Sequence, residues 1–123
     1  MRSEPKVYDV KQRTYLYALE VIKFLEELPN DSVTQTMSRQ LLRSATSIGA
    51  NVIEAQASGT KKDFANFYNH SLKSANESKF WLGLLKDSGK ALNGRITPLL
   101  NETNELANIL ASSILTLRGK RSF

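Results

Sequence analysis

The stretch that most constrains this chain runs from Gln40 to Ala57, QLLRSATSIGANVIEAQA. It has no proline, and its one glycine is interior. Its larger apolar residues (Leu41, Ile48, Val52) and its small ones (Ser44, Ala45, Gly49, Ala55) recur three and four positions apart. That spacing puts them on one side of an α-helix. A second file, Arg43, Ser47, Asn51 and Glu54, runs beside the first. The small side chains let a neighbouring helix approach closely. Gly49 weakens a helix by about 1 kcal/mol relative to Ala, which suggests close packing at that point. The polar file needs partners if it is buried, because an unsatisfied buried polar group costs about 1–3 kcal/mol. It reads as a structural network, with Arg43 and Glu54 satisfied across a helix or subunit interface and Ser47 and Asn51 bridging. The competing reading is a contact for a ligand or nucleic acid.

The rest of the chain supplies three more amphipathic segments. Residues 1–7 read as an arm. A first helix is expected over about 9–28, with two apolar stripes. One is Tyr8, Tyr15, Leu19, Ile22, Leu25 and Leu28; the other is Tyr17, Val21, Phe24 and Leu28. A helix apolar on more than one side is buried on more than one side, so an oligomer is one reading; the other is that Tyr15 and Tyr17 snorkel at the surface. Pro29 ends this helix. Ser32, three residues before Gln35, reads as a capping box for a second helix over about 33–57. Gly59 and Thr60 punctuate, and a third helix over 61–87 follows, ended by Gly89. Thr97-Pro98 reads as a cap and first position of a fourth helix over 98–118, stopped by Gly119. Four such helices with mostly short loops imply one all-α domain over 1–123, an antiparallel up-down-up-down four-helix bundle.

Composition limits the chemistry. The 123-residue chain has no cysteine and one histidine, His70. Disulfides and thiolate metal sites are excluded, and nucleophilic catalysis has little material. Glu54 and Glu77 lack the Glu-x-x-His pairs of di-metal bundles. No catalytic residue, metal or cofactor is therefore expected. The N-terminus has no apolar core and no stretch is apolar enough to span a bilayer, which points to a cytoplasmic protein without membrane contact. The net charge is +5, with −1 over residues 1–31, +4 over 32–90 and +2 over 91–123. A moderate basic excess permits nucleic-acid binding.

The strings Leu42-Arg43-Ser44-Ala45-Thr46-Ser47-Ile48-Gly49-Ala50-Asn51-Val52-Ile53-Glu54-Ala55, Lys62-Asp63-Phe64, Ser74 to Leu82 and Asn104 to Ile114 occur in that order. Together they resemble the four helix bundle protein family, also called the 23S rRNA intervening-sequence protein family. The resemblance covers nearly the whole chain. It implies an antiparallel four-helix bundle, assembly into a barrel-like homopentamer and no enzymatic activity. Some relatives are encoded inside insertions in large-subunit rRNA genes. The related accessory protein of diversity-generating retroelements is a basic pentamer that binds nucleic acid and a reverse transcriptase. Many relatives continue from the glutamate matching Glu54 into a glycine, whereas this chain has Ala55.

The basic residues with most to offer a phosphate backbone are Lys61, Lys62, Arg43, Arg118, Lys120 and Arg121. Cations are favourable at the end of a helix, which accounts for Arg118, Lys120 and Arg121 without any ligand. Lys61 and Lys62 sit at an unfavourable helix start and are the stronger candidates. The two clusters are expected at opposite ends of the bundle, each becoming a charged rim in a ring of copies. The sequence therefore reads as a non-enzymatic, ring-like homo-oligomer acting as a binding or scaffold protein. Its partner is structured RNA or DNA at the basic rims, or, alternatively, a protein encoded nearby.

Overall fold

The computed structural model describes residues 9–119. Tyr8, the arm before it, and Lys120 and Arg121 lie outside the described residues. Four helices account for nearly all of the rest, and no strand occurs among the described residues: α1 Val10–Glu26, α2 Ser32–Gln56, α3 Lys61–Asp87 and α4 Asn93–Leu117. Each helix packs on its neighbours in sequence, α1 also packs on α4, and the backbones of the diagonal pairs α1–α3 and α2–α4 do not approach one another closely. The product is a four-helix bundle. One side chain layer after another fills its centre, including Tyr17, Val21 and Phe24 of α1, Leu41, Ile48 and Val52 of α2, Leu82 and Leu85 of α3, and Leu106 and Leu110 of α4.

Local chemistry sets the helix ends, and in three places it differs from the sequence reading. The α2 cap is Asp31, not Ser32: one carboxylate oxygen accepts from Thr34 N at 2.9 Å and the other from Thr34 Oγ1 at 2.9 Å. These bonds hold the Asp31 carboxyl below its usual range. Ser32 is instead the first helical residue, and Gln35 reaches back to Asn30. The first helix stops at Glu26, because the residue before Pro29 is driven from helical geometry. Its last turn tightens through Glu27 N to Phe24 O and Leu28 N to Leu25 O.

The fourth helix starts at Asn93, one and a half turns before the expected Pro98. Pro98 then lies inside the helix, where its ring removes one backbone hydrogen bond. Two contacts made by the extra turn offset that loss. Ile96 is fully buried, and Arg95 forms a two-pronged bond to Glu27 at 2.7 and 2.8 Å. The Arg95 pairing holds the Glu27 carboxyl below its ordinary range. Gly89, at φ 76°, closes α3, with Lys90 N donating to Leu85 O at 3.0 Å and Gly89 N to Lys86 O at 3.1 Å. Only a residue without a Cβ adopts that conformation freely.

Hydroxyls join the helices inside the core. Tyr17 of α1 and Thr103 of α4 share a hydrogen bond at 2.6 Å. Ser44 of α2 and Ser78 of α3 share one at 2.8 Å, and Ser71 of α3 donates to Ile48 O of α2 at 2.7 Å. Among the described residues no buried side-chain nitrogen or oxygen lacks a partner. Burial pushes the Tyr17 phenol up to about 12, with the Thr103 and Ser78 hydroxyls working the other way. Where α1 crosses α2, Gly49 meets Thr14: a Cβ on Gly49 would lie 3.1 Å from Thr14 Oγ1. The sequence reading placed close packing at this glycine, and the contact supplies its physical reason.

Candidate assembly and binding surfaces

The two stripes of α1 have different fates. Tyr17, Val21 and Phe24 enter the core. Tyr15, Leu19 and Ile22 stay on the outside, Tyr15 at 67% exposure, and Leu42 and Ile53 of α2 lie exposed beside them. Between the two helices the surface is hollowed twice. The upper hollow, about 530 Å³, runs over Thr14, Tyr15, Ala18, Gly49, Ala50 and Ile53. Its depth follows from the small residues Ala18, Gly49 and Ala50. The lower hollow, about 300 Å³, lies between Ile22, Leu25 and Leu28 of α1 and Ser38, Arg39 and Leu42 of α2. The α4 surface is different in kind, with Asn101, Asn104, Asn108 and Ser112 exposed along it.

The basic residues divide in a way the sequence reading had wrong. Lys61 and Leu117, the residue before Arg118, line one shallow hollow of about 260 Å³ with Ser58, Gly59, Thr60 and Phe64. The start of α3 and the end of α4 therefore meet at one end of the bundle rather than at opposite ends. The reason is geometric: when consecutive helices are joined by a short turn, the far end of the second returns to the beginning of the first. Lys61, Lys62 and Arg118 are all exposed there. Thr60 caps α3 by accepting from Asp63 N at 3.0 Å, and Asp63 supplies the first-turn acid that suits a helix start. Arg43 stands apart, in the middle of α2.

The polar file on α2 is bonded along its own helix. Ser47 Oγ donates to Arg43 O at 2.7 Å and Asn51 Nδ2 to Ser47 O at 2.9 Å. Arg43 donates to Gln40 at 3.0 Å and lies 3.9 Å from Glu77 on α3. Glu77 also accepts from Trp81 Nε1 at 3.0 Å. Glu54 is exposed, and its side chain forms no hydrogen bond or ion pair among the described residues. Arg43 thus reaches across to α3, while Glu54 is not joined to it within the chain.

The strongest ionic site went unnoticed in the sequence. Arg13 of α1 donates to both oxygens of Glu102 on α4, at 2.9 and 2.8 Å, and to Glu105 at 2.6 Å. The bonds to Glu102 and Glu105 push the guanidinium pKa further up. Glu102 and Glu105 stand three apart on one helix, a spacing that could have marked them as a pair. Nothing in the sequence says which arginine they receive. No three His, Cys, Asp or Glu side chains gather as a metal site among the described residues. None of the helices is long and apolar enough to cross a membrane.

These features define an all-α bundle with an apolar outer face between α1 and α2 and exposed cations near one end. The comparisons with known proteins agree with that class. The model of the 23S rRNA-intervening sequence protein family matches residues 6–112, and the chain belongs to this family. A crystal structure of a protein of unknown function from the S23 ribosomal protein family of Bacteroides thetaiotaomicron is similar. It is 35% identical, with 86% of this chain and 98% of that one covered and a TM-score of 0.81. No curated protein matches the chain.

Proposed function

We propose that this protein is a non-enzymatic cytoplasmic scaffold, an antiparallel up-down-up-down bundle that assembles with copies of itself into a ring. Contacts between distant residues support the antiparallel order. Arg13 near the start of α1 pairs with Glu102, whereas Glu27 past its end pairs with Arg95 at the start of α4. Ser44 bonds Ser78, whereas the later Ile48 receives the earlier Ser71. The observation that carries the assembly reading is the apolar α1/α2 face. Contiguous exposed apolar surface of this kind marks interaction sites, and α1 places Tyr15, Leu19 and Ile22 on it. The family resemblance suggests five subunits. Light scattering on the purified chain tests this: a multimer mass is expected, and a monomer mass would refute it. In the assembled form, Leu19→Lys combined with Ile22→Lys should reduce the mass while leaving helix content intact.

A second reading rests on the basic end. Lys61 lines one hollow, and the exposed Lys62 and Arg118 each follow one of its lining residues in sequence, so a ring would repeat these cations in every copy. Such a rim suits the phosphate backbone of structured RNA or DNA, held with little sequence preference. The family description names an rRNA sequence, so a structured RNA is the first probe, with a DNA duplex beside it. Fluorescence anisotropy across a salt series should show an affinity that falls steeply with salt. Lys61→Glu with Lys62→Glu should weaken binding by a similar factor for every sequence. An unaffected affinity would remove this site. Absence of binding at low salt would leave the other reading, a scaffold for a protein encoded nearby.

A further inference from the structure

The fold also indicates which surface of a second copy fits the α1/α2 face, an inference that rests on the self-assembly reading. Another exposed apolar feature is a ridge on α3. Phe80, 57% exposed, and Leu84, 39% exposed, stand one turn apart. Their height along the bundle can be read from contacts. Arg43 lies against Glu77 and Ser44 against Ser78, so Phe80 is level with Leu42. Ile22 and Leu42 line the lower hollow together. The ridge and the lower hollow therefore lie at one height, and a second copy turned about an axis along the bundle, without sliding, brings them face to face.

Charge supports the same match. Arg39, at the rim of the hollow, has only the Thr36 hydroxyl at 3.5 Å and no carboxylate partner among the described residues. Asp87 lies three residues past Leu84, is exposed, and has no cation partner among the described residues. By the same register Asp87 falls about five residues from the level of Arg39, roughly 7 Å at ~1.5 Å per residue, within the reach of an arginine side chain.

We propose that the Phe80–Leu84 ridge of one copy seats in the hollow between Ile22, Leu28 and Leu42 of the next, with Asp87 facing Arg39. Groove and ridge are different surfaces, so the contact is heterologous and every copy uses both. α3 adjoins α2 and lies diagonal to α1. The two surfaces thus point obliquely to one another, neither back to back nor on one face, and successive contacts turn toward closure.

The chain has no cysteine, which makes disulfide trapping clean. Leu42→Cys and Phe80→Cys chains carrying different mass tags are co-expressed, checked for helix content and oxidised. A disulfide needs Cα atoms within about 7 Å, so the mixed L42C–F80C product should exceed either homodimer by at least roughly tenfold. Predominant L42C–L42C dimers would mean a two-fold contact and overturn the proposal. A wild-type multimer with no mixed product would overturn it while leaving self-assembly standing, and a wild-type monomer would end both. The charge pair gives a second readout. Arg39→Asp or Asp87→Arg alone should lower the multimer mass at dilute protein, and the two together should restore it. Failure of the double swap to restore a loss caused by the singles counts against the Arg39–Asp87 pairing.

Discussion

Replacing Gly49 with alanine sets two effects of opposite sign against each other, and the structure decides between them. In an isolated helix the change should stabilise by about 1 kcal/mol, because Ala loses less backbone freedom than Gly. Here the added methyl lies 3.1 Å from Thr14 Oγ1 and 3.3 Å from Thr14 Cβ. Thr14 cannot easily yield. It is 1% exposed, and its hydroxyl donates to Lys11 O at 3.0 Å. Overpacking of this kind costs typically 1–3 kcal/mol. The net expectation for Gly49→Ala is a destabilisation of roughly 0–2 kcal/mol, read as a lower Tm by circular dichroism at fixed protein concentration. Relieving the closest contact should shrink the penalty. In a Thr14→Ala background the 3.1 Å contact to Oγ1 is gone while the 3.3 Å contact to Cβ stays, and Gly49→Ala should cost about 1 kcal/mol less than in the wild type. The double-mutant cycle would then show a coupling of about 1 kcal/mol or more. A higher Tm for Gly49→Ala alone, with no coupling to Thr14, would refute the close crossing of α1 and α2.

The other predictions concern the core hydroxyls and the start of α4. Tyr17→Phe leaves the buried Thr103 hydroxyl without its tyrosine partner and should cost about 1–2 kcal/mol in urea unfolding; a neutral result would mean that the phenol contributes only its ring. The Tyr17 phenol, pushed up to about 12 by burial, keeps its proton in the folded state above the ordinary tyrosine value near 10. The folded state then binds more protons than the unfolded one between about pH 10 and 12, so stability should fall as pH rises through that window. Tyr17→Phe should flatten the fall, and an unchanged profile would assign the loss to other groups. Pro98→Ala restores a backbone N–H within α4 and should stabilise by about 1–3 kcal/mol in the same melts. A neutral or destabilising result would place Pro98 in the first turn, and α4 would begin where the sequence alone had put it.

The sequence made the helices legible because their burial is periodic, and it hid what periodicity does not encode. Leu41, Ile48 and Val52 announced a helix and its inner face together, and all three are fully buried. Ser44, Ser71 and Ser78 were legible as small residues on inner faces, but their pairing across α2 and α3 depends on register, which no single helix contains. Ends were the weakest part. Asp31 outcompeted Ser32 because it offers two oxygens to Thr34, and α4 begins before the strong start signal at Thr97-Pro98 because tertiary contacts at Ile96 and Arg95 outweighed local preference. The misplaced basic clusters show the same limit at larger scale: helix boundaries were nearly right, yet one misjudged direction separated Lys61 from Arg118. The α1 stripes carry this furthest. Either stripe could have faced the core, and what selects Tyr17, Val21 and Phe24 is the company of α2 and α4, with Thr103 placed to receive the phenol and Gly49 placed to admit Thr14. Once that choice is made, Tyr15, Leu19 and Ile22 must face outward. The apolar face of this bundle is thus a consequence of its core, and the self-assembly proposed above would cover it.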